Sequence, residues 1–271
     1  MSRIAATFTR LRRAHRRAFI PFLVAGDPDL PTTLRALEVL TEAGADLLEL
    51  GVPFSDPIAD GPINQRAAQR ALAAGVTPAA VLELVRQVRR CCELPIVLLS
   101  YYNPILQYGL GQFCRDAVAA GVDGLVIPDL PATEGDELIS AARAADLDTI
   151  FLLASTSTAE RIHQVTERAS GFIYCVSLTG VTGVRDEVAD ALPALVARIR
   201  AATTLPICVG FGVSTPSQAR TVAEFADGVI VGSALVALVE SSGNQLEPLS
   251  QLGASLRHAI DSVPAGEVSS S

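Results

Sequence analysis

The 271 residues carry a formal net charge of −8, with 49% hydrophobic and 18% charged side chains. That acidity argues against a general nucleic-acid binder, and apolar runs such as Ala18 to Gly26 fall well short of the roughly 20 residues of a membrane span. All 21 basic residues are arginine, so no side-chain Schiff base can form, which excludes a lysine-dependent aldolase and covalent capture of pyridoxal phosphate.

In chain order, Arg3 to Arg17 reads as a short polar helix whose arginine cluster, Arg10 to Arg17, is expected to be a solvated face. No long apolar run with a cleavage-like site precedes the body, so a signal peptide is not expected. Ala18 to Ala25 reads as a first buried strand. A helix opening at Asp29 or Pro31 runs to about Ala43, with Leu34, Leu37 and Leu40 at helical spacing. Asp46 to Leu50 is the second strand, stopped by Gly51 and Pro53.

The alternation then repeats. Gln65 to Ala73 and Pro78 to Arg90 are expected helices, Pro95 to Ser100 a strand, Leu110 to Ala120 a helix and Gly124 to Ile127 a strand. Glu134 to Ala145 is a helix, Thr149 to Leu153 a strand, and Thr158 to Arg168 a helix opened by a Ser/Thr cluster. Phe172 to Val176, Pro206 to Val209 and Gly228 to Val231 are the last strands. Helices Val188 to Ala201, Pro216 to Ala223, Ala234 to Val239 and Leu246 to Ile260 surround them. The strands are continuously apolar, as parallel strands buried on both sides are.

Eight strand–helix units in this length predict an α/β fold, a single-domain (β/α)8 TIM barrel with an extra N-terminal helix over residues 1–262 and a frayed tail over 263–271. The alternative is an open doubly wound sheet, disfavoured because no G-x-G-x-x-G follows the first strand. The five cysteines are odd in number, scattered and without a C-x-x-C pair. They are expected to be buried thiols in a reducing cytoplasm. The three histidines lie far apart, so no His-based metal site is expected.

In such barrels the active site forms at the C-terminal strand ends. Glu49 stands among Leu47, Leu48 and Leu50, where a carboxylate is costly unless it has chemistry or a partner. Arg66 or Arg70 could supply that partner. Asp60 follows on a loop rich in proline and glycine, where a turn-forming role is an equal reading. Asp27, Asp56 and Asp129 are further strand-end acids that the residues alone do not rank. Glycines after strands six, seven and eight, with Ser233 opening the last barrel helix, suit an anion such as phosphate.

The run ELGVPFSDP at Glu49 to Pro57, followed by ADGP and Gln65, resembles the tryptophan synthase α subunit family. So do IPFLVAGDPD at Ile20, YYNPI at Tyr101, IPDLP at Ile127, FIYCVSLTGVTG at Phe172, ICVGFGVSTPSQA at Ile207 and ADGVIVGSAL at Ala226. The resemblance implies a barrel lyase that cleaves indole-3-glycerol phosphate to indole and glyceraldehyde 3-phosphate by a reverse aldol reaction. It assigns Glu49 as the acid–base group and Asp60 as the acceptor of the indole N–H. Phe22, Leu99, Tyr101, Val126, Leu152, Tyr174 and Thr182 map to the indole slot. Gly183, Phe211, Gly212, Gly232 and Ser233 map to the phosphate site.

The same resemblance implies a β subunit as partner in an α2β2 complex, docked against Asp56, Pro57, Asn103 and Pro104. Pyridoxal phosphate would belong to that partner, with no cofactor in this chain. Asn64 and Ser155 depart from the family pattern, putting the shape of the slot and the path of one loop at issue. Competing readings are a stand-alone lyase releasing indole, a non-catalytic activator of the β partner, and another phosphosugar barrel, the last disfavoured by the missing lysine.

Overall fold

A computed structural model of the chain describes residues 1–176, 185–210, 212–242 and 245–263. Helix α1 (Arg3–Arg13) precedes β1 (Ala18–Val24), α2 (Leu30–Glu42), β2 (Leu48–Gly51), α3 (Pro62–Ala73), α4 (Pro78–Val88) and β3 (Ile96–Leu99). Then come α5 (Tyr102–Tyr108), α6 (Leu110–Ala120), β4 (Gly124–Val126), α7 (Asp136–Ala144), β5 (Asp148–Ile150), β6 (Leu152–Ala154) and α8 (Ala159–Arg168). The chain continues through β7 (Ile173–Val176), α9 (Arg185–Arg200), β8 (Ile207–Gly210), α10 (Pro216–Ala223), β9 (Gly228–Val231), α11 (Ser233–Ser242) and α12 (Glu247–Asp261).

The strands lie in the order β5-β4-β3-β2-β1-β9-β8-β7-β6, every neighbouring pair parallel. The expected fifth strand is two pieces. β5 pairs with β4 on one side and β6 with β7 on the other. The pieces meet at Phe151, whose carbonyl accepts from the Tyr174 amide at 3.1 Å. The sheet thus returns on itself, which fits the predicted barrel and rules out the open sheet.

Local chemistry sets most helix starts. Asp29 caps α2 by accepting from the Thr32 amide at 2.7 Å, and Thr158 caps α8 through the Arg161 amide at 3.2 Å. Prolines occupy the first turns of α2, α3, α4, α10 and α12, where a missing N–H costs nothing. Three readings need correction. β2 starts at Leu48 rather than Asp46 and takes in Gly51 as its last residue. The first helix stops at Arg13 and is amphipathic rather than polar, burying Ile4, Thr7, Phe8 and Leu11. The ring of Phe8 packs 6.0 Å from that of Phe172, so α1 covers the N-terminal end of the barrel. Helix α5 went unread because its cap is remote: the Tyr102 amide donates to Asp129 Oδ1 at 2.9 Å.

The same N-terminal end is fastened by a repeated device. Asp46, Asp123 and Asp227 stand just before β2, β4 and β9, and each carboxylate accepts from the first amides of the adjoining strand. The bonds are Phe19 N at 3.1 Å, Ile96 N at 2.8 Å and Ile207 N at 2.9 Å. Each also holds an arginine from the helical layer or its rim: Arg257 at 2.7 Å, Arg89 at 2.5 Å and Arg200 at 2.9 Å. Arg257 reaches on to Asp261 and to the Arg17 carbonyl. The arginine cluster is accordingly not just a solvated face, since Arg10 lies 3.6 Å from Asp46 and Arg16 3.0 Å from Asp261. Of the cysteines, Cys91 is exposed and the other four are buried, correcting the expectation for that one thiol.

Candidate active site

Alternation along β2 sends Leu48 and Leu50 to the helices and Glu49 into the barrel. Glu49 is in register with Phe22 on β1 and Val97 on β3, and its charge is felt by Tyr174 and Cys208 on β7 and β8 across the interior. The residue is 1% exposed. Among the described residues, neither carboxyl oxygen meets a donor at full hydrogen-bond geometry. The Tyr174 hydroxyl comes close enough to favour the anion, but burial and the charge of Asp60 outweigh it and push the Glu49 carboxyl up to about 8.

The ion-pair reading for Glu49 is overturned by where the arginines go. Arg70 grips Asp27 with two bonds at 2.7 and 2.8 Å and reaches Glu240 at 2.8 Å. Arg66 holds Glu240 at 3.1 and 3.0 Å. The strand-end acids are thereby ranked. Asp27 is a paired structural acid, Asp129 caps α5, and Asp56 is exposed with Ser55 as its partner at 2.5 Å.

Asp60 is brought by its loop close enough to Glu49 for its charge to raise that carboxyl. The Tyr101 hydroxyl donates to Asp60 Oδ2 at 2.9 Å and accepts from the Ala59 amide at 3.0 Å. Asn64 donates to Oδ1 at 3.4 Å, and the Gln65 side chain donates to the Asp60 carbonyl at 2.9 Å. Burial raises the Asp60 carboxyl, and the Tyr101 and Asn64 bonds pull it back. Tyr101, expected only as slot lining, also fixes this loop, and its ring packs at a tilt 5.3 Å from that of Phe54.

Phe22, Leu99, Val126 and Tyr174 are buried and Leu152 half-buried. Register links Leu99 to Val126, and Leu152 to Tyr174. Two glycines make room for these rings. A Cβ at Gly51 would sit 2.8 Å from the Phe22 ring, and one at Gly210 would sit 2.8 Å from the Tyr174 hydroxyl. Both were visible in the sequence only as strand-end glycines, because the clash they avoid lies on another strand.

Where the phosphate is expected, Gly232 follows β9 and Ser233 opens α11, with the Gly232 carbonyl taking the amides of Leu235 and Val236 at 2.8 and 3.1 Å. Gly212 is exposed with φ +98°. Thr182, Gly183 and Phe211 lie outside the described residues. The expected docking residues share the mouth: Asp56 and Asn103 are exposed, Pro57 and Pro104 half-buried, and Ile58 beside them is 81% exposed. Among the described residues no single helix is long and apolar enough to cross a membrane.

A closed parallel barrel with a protonatable carboxyl in an apolar interior, a second acid beside it and a helix N-terminus at the rim defines a barrel enzyme working by carboxyl acid–base chemistry. Comparison with known proteins narrows that class. The family model described as tryptophan synthase alpha chain matches residues 8–260. The tryptophan synthase alpha chain of Geobacter sulfurreducens is 54% identical over 240 residues, 89% of this chain and 91% of the relative. That of Geotalea uraniireducens is 51% identical over 265 residues, covering 97% and 99%. Among solved structures, tryptophan synthase subunit alpha from Legionella pneumophila superposes with a TM-score of 0.90 at 40% identity, covering 97% of this chain and 100% of that one. A chain of Mycobacterium tuberculosis tryptophan synthase in its aminoacrylate-bound form gives 0.87 at 38% identity, covering 96% and 100%. The chain belongs to the tryptophan synthase alpha chain family, a lyase family of tryptophan biosynthesis.

Proposed function

We propose that Glu49 and Asp60 together carry the cleavage of indole-3-glycerol phosphate. The observation that carries this reading is a carboxyl buried without an ion pair among the described residues, pushed up to about 8, beside a second acid that stays hydrogen-bonded as an acceptor. The carbon–carbon bond cannot break until C3 of the indole is protonated, because that carbon leaves with the electron pair. The protonated Glu49 delivers that proton. Asp60 accepts the indole N–H and stabilises the positive charge spreading over the ring. As the bond breaks, the Glu49 carboxylate takes the proton from the glycerol hydroxyl, giving the aldehyde and regenerating the acid.

Phe22, Leu99, Tyr101, Val126, Leu152, Tyr174 and Thr182 form the apolar slot in this reading. Gly183, Phe211, Gly212, Gly232 and Ser233 hold the phosphate, main-chain amides and the α11 N-terminus supplying the positive potential. The chain needs no cofactor of its own and works in the cytoplasm. Its partner is a pyridoxal-phosphate β subunit in an α2β2 complex, docking on Asp56, Pro57, Asn103 and Pro104. The exposed Ile58 in the same loop favours this reading over the stand-alone lyase.

Asp60→Asn tests the assignment. It keeps the shape and most hydrogen bonds but removes the charge, and turnover of indole-3-glycerol phosphate is expected to fall about 100-fold or more. Indole release is measured with and without an added β subunit. Wild-type turnover in the variant would refute the role of Asp60. An unchanged rate and elution volume with β subunit present would refute the docking.

A further inference from the structure

Both oxygens of the Asp60 carboxylate are held, and from two directions. Tyr101, just beyond β3, serves Oδ2. Asn64, in the first turn of α3, serves Oδ1 at 3.4 Å, a length common for catalytic contacts before substrate binds. The amide orientation follows from Asp60: turning it over would set the Asn64 carbonyl against a carboxylate. That orientation leaves the Asn64 Oδ1 atom buried with no donor among the described residues. A buried acceptor left bare destabilises a fold, whereas a leucine of similar volume would not. An unsatisfied group of this kind in a native protein calls for a reason.

Resting on the role of Asp60 given above, we propose that Asn64 is a positioning residue for the lyase reaction: its amide nitrogen fixes the Asp60 carboxylate toward the substrate, and the amide oxygen, bare among the described residues, is the accompanying penalty to the fold. The electrostatics agree, since burial raises the Asp60 carboxyl and the Tyr101 and Asn64 bonds are the two contacts that oppose it. Glu49 on β2 and Tyr174 on β7 are the other titratable groups coupled to Asp60, and Asp129 acts on Tyr101. Arg66 and Arg70 on α3 are engaged by Glu240 and Asp27.

Two effects of opposite sign are expected for Asn64→Leu. The urea midpoint should match or exceed that of the parent, because the bare acceptor is gone. The acid limb of kcat/KM against pH should move upward, since Asp60 loses a donor and takes its proton more readily. Activity should then fall a few-fold on the acid side of the profile and less at pH 8, while the alkaline limb set by Glu49 stays put. Asn64→Ala serves as the second variant and should show the same displaced limb. A parental pH profile in both variants, or a uniform loss of activity with a lowered midpoint, would overturn the positioning role. Asp60→Asn in the same assay separates the causes. If it stays active, the reading of Asp60 fails and this inference with it; if it is inactive while both Asn64 variants keep the parental profile, only this inference fails.

Discussion

Glu49→Gln is expected to abolish most turnover and to stabilise the protein. A glutamine has the same volume but cannot donate an acidic proton, so kcat should fall by about two orders of magnitude or more. The stability effect follows from proton linkage. Glu49 holds its proton more tightly folded than unfolded, so its contribution is fully favourable at low pH and is lost as pH rises from the ordinary value of 4.5 through about 8. At pH 7 the wild-type carboxyl then costs on the order of 3 kcal/mol. The variant does not titrate, so its gain in melting temperature should be larger at pH 8.5 than at pH 5.5. Equal gains at the two pH values would mean that Glu49 is not the buried acid described.

Arg257→Ala should be the most destabilising change at the other end of the barrel. Arg257 is 7% exposed and Asp46 4%, and the guanidinium also ties down Asp261 and the Arg17 carbonyl. Removing one partner of a buried pair leaves the other charge unsatisfied, which typically costs about 3–5 kcal/mol. For a domain of this size that is roughly a 10 °C fall in melting temperature. The active site lies at the opposite end, so kcat at 25 °C should hold. A loss of less than about 1 kcal/mol in chemical denaturation would show that Arg10, 3.6 Å from Asp46, substitutes for it.

Much of this was legible in the residues, and what was not has a common cause. The barrel followed from continuously apolar strands at regular spacing, and Glu49 stood out because a glutamate among leucines has few innocent explanations. The ambiguity at Glu49 was whether Arg66 or Arg70 answers it. Spacing along one helix cannot say that Glu240 and Asp27, far off in the chain, claim those arginines first. Asp129 was indistinguishable from a catalytic acid until α5 placed its amide on it. Gly210 reads as a turn residue until Tyr174 is seen filling the space above it. The break at Phe151 has no local turn signal. In each case the deciding contact joins elements far apart in sequence, whereas caps such as Asp29 and Thr158, whose partners lie three residues on, were readable directly.

The strand-foot aspartates have a chemical consequence. Each is fastened by a guanidinium, and the chain has no lysine anywhere. Guanidinium keeps its charge across every physiological condition. Reactive thioesters, cyanate and other amine-seeking metabolites, which neutralise lysine clasps as proteins age, find no side-chain amine on this barrel to acylate. Its electrostatic fastening is therefore inert to that whole category of chemical damage.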